Sequence, residues 1–244
     1  MKKVILSAVS ILFFGMFLNA QTATGSKKLD LTGRPADHLV FQFGTDTWTN
    51  RPDSVNLGGG LSRHFNLYFM YDKPFATNPK YSVAFGAGVG TTNIFFDNRT
   101  YVDVKSPSKT LPFRKLDATS NHFSKFKVTT VYFELPVELR YFSDPAHPGK
   151  SWKAAAGFKL GTLLKAYSKG KNMVNNNGSS INGKGYIQKE QNKRFFNATD
   201  IALTGRAGYG IFSLDVGYQL NGVLRDGYGP LMNKFSVGIT ISGL

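Results

Sequence analysis

The sequence predicts an all-β fold, an eight-stranded antiparallel transmembrane β-barrel wound as an up-and-down meander. Three observations carry this prediction. Apolar residues alternate with polar or small ones in eight separate segments. The connections between those segments alternate strictly between long and short. The polar positions hold glycines and charges of both signs, which suits a crowded interior better than a solvated face.

Ahead of the first strand, Lys2 and Lys3 precede an apolar stretch from Val4 to Leu18, which ends at Leu18-Asn19-Ala20. A basic start, an apolar middle and a small residue at the end form the pattern of a removable secretory signal peptide over residues 1–20. Residues 21–36 read as a periplasmic linker, and residues 37–244 as the barrel.

The strands follow in order. Leu39, Phe41 and Phe43 alternate with Val40, Gln42 and Gly44. Phe65, Leu67, Phe69 and Tyr71 alternate with Asn66, Tyr68, Met70 and Asp72. Tyr81, Val83, Phe85, Ala87 and Val89 alternate with Ser82, Ala84, Gly86, Gly88 and Gly90. Val131 to Tyr141 is the clearest case: its odd positions are all apolar or aromatic, while Tyr132, Glu134, Pro136, Glu138 and Arg140 lie between them. On a helix those apolar residues would spread around the circumference, whereas on a strand they share one face. Pro136 also argues against a helix interior and predicts a bulge or kink in a closed sheet. The fifth segment places Trp152, Ala154, Ala156, Phe158, Leu160 and Leu164 opposite Lys153, Gly157, Lys159, Gly161 and Lys165. The last three are Ile201 to Tyr209, Phe212 to Leu220 and Phe235 to Ile241.

The gaps fall near residues 49–60, 73–79, 97–127, 143–150, 168–193, 209–211 and 222–232. The first, third, fifth and seventh are long, so a single rim collects the long loops. In outer-membrane barrels that rim is extracellular, and the short turns and both termini are periplasmic. Tyr71, Tyr81, Tyr141, Trp152 and Tyr209 fall toward the short-turn rim and Phe95 toward the other, as interfacial girdles require. The segments 97–127 and 168–193 each carry a net charge of +4, and the second reads as a mobile loop.

A barrel so narrow has its interior filled by side chains. Glu134, Glu138, Arg140, Lys153, Lys159, Asp200, Arg206 and Asp215 are predicted to form a charge network there, with opposite signs on neighbouring strands.

Composition looks soluble at first: 244 residues, 41% hydrophobic, net charge +15, and mean hydropathy −0.20. Alternation explains it, since half of each strand is polar. Loss of Lys2 and Lys3 with the signal peptide leaves +13. With no Cys, disulfides, a Cys nucleophile and thiolate metal sites are excluded. The four histidines, His38, His64, His122 and His147, match no metal-ligand spacing, so no metal and no cofactor is expected. His122-Phe123-Ser124 offers a base and a nucleophile two residues apart, placed in the longest loop with no carboxylate to orient it. The expected partners are outer-membrane lipid and lipopolysaccharide, drawn by the basic loops, and not nucleic acid.

Val131-Tyr132-Phe133-Glu134-Leu135-Pro136-Val137 resembles the aromatic–aliphatic–Glu–aliphatic–Pro strand of the PorT-like, porin-like outer-membrane β-barrel family of Gram-negative bacteria. Phe85 to Gly90 and Phe235 to Ile241 are similar to that family too, and the likeness spans residues 37–244. The chain departs from such barrels in finishing Ile241-Ser242-Gly243-Leu244 rather than on an aromatic residue. The resemblance implies an eight-stranded membrane barrel, and the leading reading of function is a non-enzymatic structural or binding barrel that displays two long basic loops. For some members the resemblance implies a place in a protein secretion or assembly complex; a lipid-modifying barrel enzyme is the third reading.

Overall fold

A computed structural model describes residues 38–243 except 54, 59–61 and 98. The expected signal peptide and linker lie outside the described residues.

The strands are β1 (Leu39–Thr49), β2 (Arg63–Pro74), β3 (Tyr81–Phe96), β4 (Thr100–Val102), β5 (Phe113–Lys115), β6 (His122–Phe142), β7 (Trp152–Val174), β8 (Ile187–Gln191), β9 (Thr199–Tyr209), β10 (Phe212–Gln219) and β11 (Asn233–Ser242). Eight of them close a ring: β1 pairs β2, then β3, β6, β7, β9, β10 and β11 follow, and β11 returns to β1. Every pairing is antiparallel. The fold is therefore a closed, eight-stranded, up-and-down β-barrel. Closure leaves no sheet edge within the wall, which a bilayer demands because it offers backbone groups no water.

The wall is inside-out relative to a soluble barrel. Phe69, Leu214, Phe212, Leu139 and Leu203 are among many large apolar residues exposed on its outer surface. At the short-turn rim the outer face carries paired rings: Tyr71 with Phe85 at 5.4 Å, Tyr81 with Tyr141 at 5.3 Å, and Trp152 with Tyr209 at 5.5 Å. Such a belt suits the membrane interface, where an apolar body and a polar tip are both satisfied.

The short connections are tight. Gly210-Ile211 joins β9 to β10 with Gly210 at φ +61°, a conformation glycine adopts without steric cost. The turn from β6 to β7 contains a 3-10 turn at Pro148–Lys150. There His147 Nδ1 lies 3.0 Å from an Asp144 oxygen, and that contact together with the Ala146 N–H holds the Asp144 carboxyl below its usual range.

Two expectations about the strands are corrected. Pro136 lies opposite Lys159 with unbroken register to β7. Toward β3 the register is also in phase on both sides, Phe85 with Val137 and Gly88 with Glu134, and only the Leu135–Pro136 rungs are missing. The absent N–H therefore opens a gap in one ladder and adds no residue. The irregularity sits instead between Val131 and Tyr132, where Val131 faces Lys165 and Tyr132 faces Leu163. Leu164 is the extra residue of a β-bulge. It reverses the inside–outside phase of β7, so that Lys165, expected to face inward with Lys159, is exposed, and Ala166 and Ser168 are buried.

The long connections are also more ordered than irregular loops. The segment 97–127 contains the β4–β5 hairpin and the start of β6, so His122 and Ser124 lie on a strand. The segment 168–193, expected to be mobile, prolongs β7 to Val174 and returns as β8 along it.

Candidate functional site: a charged barrel interior beneath a packed cap

The inward positions hold twelve buried acidic and basic side chains among the described residues. Six are carboxylates (Asp46, Asp72, Glu134, Glu138, Asp200, Asp215), five are cations (Arg140, Lys153, Lys159, Arg206, Lys234), and the last is His64. Charges taken out of water persist only when paired and hydrogen-bonded.

The eight residues read from the sequence lie in the interior but in three groups. Near the short-turn rim, Glu138 Oε2 accepts from Arg140 Nε at 2.8 Å and from Arg206 Nη2 at 3.1 Å. Arg140 also approaches Asp72 at 3.7 Å, and Ser82 donates to the same Asp72 oxygen at 2.7 Å. Arg206 and Lys153 both reach Ser242 Oγ, at 3.2 and 3.5 Å. In the middle, Lys159 Nζ lies 3.1 Å from both oxygens of Glu134, and Tyr68 donates its hydroxyl proton to Glu134 Oε2. Beside this pair Lys234 meets Asp200 at 3.1 Å. On the β1–β2 side His64 Nδ1 lies 2.8 Å from Asp46 and His64 Nε2 lies 3.9 Å from Asp215. Thr240 donates to Asp215 at 2.7 Å.

Glycine makes room for these groups. A Cβ on Gly90 would fall 2.6 Å from the Glu134 carboxylate, and one on Gly161 would fall 3.1 Å from Asp200 Cβ. A cavity of about 20 Å³ bordered by Gln42, His64, Lys159, Asp215 and Lys234 admits roughly one water.

Asp46, His64, Asp72 and Lys234 escaped the sequence reading. Asp46 and Lys234 continue the alternation of β1 and β11 by parity beyond the apolar runs. Asp72 stands among the polar alternates of its strand, and His64 precedes the run that starts at Phe65.

Above the polar interior the long-loop rim is closed by an apolar cap. Trp48, Val55, Ile94, Phe96, Val102, Val104, Leu111, Phe123, Phe126, Phe195, Phe196, Val223, Leu224 and Met232 pack in one cluster. All four long connections contribute, and backbone bonds tie them together. Gly58 donates to Phe95 O at 2.8 Å, Leu111 to Tyr228 O at 2.8 Å, and Asn197 to Val223 O at 3.0 Å. Tyr101 donates to Glu190 at 3.2 Å, joining the second and third connections. Burial, and then the nearby Glu190 charge, push the Tyr101 hydroxyl up to about 12.

The four histidines go to separate places. His38 contacts Met70 O, His147 contacts Asp144, His122 contacts Ser120 O, and His64 is in the interior. Ser124 donates to Lys171 O at 3.1 Å rather than to His122. Among the described residues no group of three or more His, Cys, Asp or Glu is arranged to hold a metal ion.

Comparison with known proteins gives three findings. A family profile described as outer membrane protein beta-barrel domain matches residues 38–225. The crystal structure of Ail, the attachment invasion locus protein of Yersinia pestis, in complex with the heparin analogue sucrose octasulfate is similar at 14% identity, covering 84% of this chain and 96% of that one with a TM-score of 0.35. A second crystal structure of Ail is similar at 14% identity, covering 84% and 95% of the two chains, with a TM-score of 0.30. No curated protein matches. With most of the chain under the family profile, a closed eight-stranded wall and an apolar outer face, this protein belongs to the outer membrane protein β-barrel domain family and is an integral protein of the outer membrane.

Proposed function

We propose that the chain is a non-enzymatic outer-membrane barrel with a structural and binding role, which anchors a folded, cation-rich cap at the cell surface. Both termini are periplasmic in this reading, and the partners are outer-membrane lipid and lipopolysaccharide. The observation that carries it is the packed cap. All four long connections are spent on one apolar core over a filled interior, and the cations they carry, Lys105, Lys109, Arg114, Lys115, Lys184, Lys189 and Lys193, point outward. A filled, capped barrel suits display rather than solute passage, and an exposed cationic surface suits phosphorylated lipid.

Because the chain has no Cys, single cysteines test the orientation cleanly. Asn182→Cys on the cap side takes up a membrane-impermeant maleimide on intact cells, and Ala146→Cys in the short turn does so only after permeabilisation. The reverse pattern would overturn the surface reading. His122→Ala and Ser124→Ala leave the lipid A profile unchanged; a changed profile would restore the enzyme reading.

A role within an outer-membrane secretion or assembly complex, as the PorT-like resemblance implies, is the second reading. Ile181 and Ile187, exposed on the β7–β8 extension, favour it as a protein contact. Partners co-purified reproducibly from mild detergent support it, and their absence sinks it.

A further inference from the structure

The interior and the outer wall treat lysine in opposite ways. Inside, Lys159 and Lys234 each hold a carboxylate at 3.1 Å. Outside, on β6, β7 and β8, lysines face lysines: Lys127 lies opposite Lys169, Lys169 opposite Lys189, and Lys125 opposite Lys171. Side chains directly opposite on neighbouring strands have Cβ atoms roughly 5 Å apart, and like charges there destabilise the pairing. Five ammonium groups thus occupy two adjacent rungs of three strands, a patch on the order of 10 Å across.

Neutral groups, not carboxylates, hold these side chains. Lys127 Nζ donates to Asn93 Oδ1 at 2.7 Å and lies 5.4 Å from the Phe95 ring. Lys189 sits 4.1 Å over the Tyr167 ring. Among the described residues no carboxylate is within ion-pairing distance of any of the five; Glu190, the acid of β8, turns to Tyr101 on the other face.

The height of the patch is set by its neighbours. On β6 the outward run Leu139, Val137, Leu135, Phe133 and Val131 is apolar and ends two residues short of Thr129, with Lys127 and Lys125 beyond. On β7 the outward run ends at Leu164. The bulge at Leu164 is what turns Lys169 and Lys171 outward; without it the phase that buries Lys159 would bury them too. A device that re-aims side chains at the end of the apolar band places them at headgroup level, on the long-loop side.

We propose that Lys125, Lys127, Lys169, Lys171 and Lys189 form a docking surface on the outer wall of the barrel for the phosphate groups of a membrane lipid headgroup. This deepens the binding role above and rests on the long-loop rim facing the cell surface. The uncompensated repulsion is relieved when phosphates lie between the rungs, each able to accept from several ammonium groups at once.

The test uses the full chain in dodecyl maltoside, titrated with diphosphoryl lipid A, with the same lipid stripped of its phosphates, and with inorganic phosphate. Retained lipid is counted by native mass spectrometry. The diphosphoryl lipid binds tightest, and Lys127→Gln/Lys169→Gln/Lys189→Gln weakens it at least tenfold. Lys73→Gln/Lys80→Gln/Lys150→Gln, at the short-turn rim, stays within about twofold. Lys169→Gln alone weakens binding by a smaller factor and serves where the triple variant does not fold. Free of lipid, folded triple variant melts higher than the parent, because the repulsion is gone. Unchanged affinity in the lysine variants, equal binding of the dephosphorylated lipid, or full competition by millimolar inorganic phosphate would overturn the proposal. Since binding is read in detergent, its loss removes the lysine site, while the surface orientation stands or falls on the cysteine labelling.

Discussion

Replacing Glu134 with Gln tests how far the charged interior holds the barrel together. Glu134 is 1% exposed and its carboxylate accepts from Lys159 twice at 3.1 Å and from the Tyr68 hydroxyl. Gln keeps the shape and an acceptor for Tyr68, so the change removes one negative charge. At 3.1 Å and an effective dielectric constant near 20, the lost attraction is about 5 kcal/mol. Breaking buried pairs costs about 3–5 kcal/mol in general, because the survivor is left uncompensated. Lys159 has no second carboxylate in contact, since Asp200 is held by Lys234. The expected loss is therefore about 3–5 kcal/mol. The assay is urea unfolding of the barrel in phosphatidylcholine vesicles, read by heat-modifiable gel mobility. Lys159→Met alone should cost a similar amount, and the double variant should recover most of the loss, as both charges leave together. A loss below about 1 kcal/mol for Glu134→Gln, or a double variant as unstable as the two singles combined, would refute the reasoning.

Other predictions follow from the same geometry. Gly90→Ala forces a Cβ to within 2.6 Å of the Glu134 carboxylate and should cost about 1–3 kcal/mol in the same unfolding assay. Phe196→Ala empties the centre of the cap and should cost about 3–5 kcal/mol, seen as faster tryptic cleavage at the neighbouring Arg194 than in the parent. Tyr101, raised to about 12 by burial and Glu190, should remain protonated where ordinary tyrosines ionise near 10. Its contribution to cap stability is full below the unfolded value and is lost as pH rises through about 12. An ultraviolet titration should therefore lose a tyrosinate step near pH 12 in Tyr101→Phe, and an unchanged curve would count against the contact.

The wall was legible because period two is a strong signal when a strand has one apolar face. Val131 to Tyr141 shows this best: every odd position faces out and every even one faces in. Parity also pointed to eight charged residues that lie in the interior, since a polar residue between two lipid-facing ones has nowhere else to go. The reading failed where parity was not followed to the strand ends, as at Asp46 and Lys234, and where it broke, as at Leu164. One extra residue reverses a face, and a bulge leaves no composition cue. The cap was illegible for a different reason. Val102, Leu111, Phe195 and Val223 lie singly or in pairs among polar residues, and only the closed ring brings those three connections together.

That shared core constrains how the long-loop rim can vary. A loop packed into a common core cannot lengthen without disturbing the other three, so the usual freedom of barrel loops to diverge is curtailed over most of this one. The tip around Gly178 and Gly183 is different: both have positive φ, at +79° and +83°, and an added Cβ at either would meet nothing within 4 Å. Lineage-specific insertions, or an epitope grafted for display, belong at that tip. A tag placed there should leave folding intact, whereas the same tag after Leu111 should not.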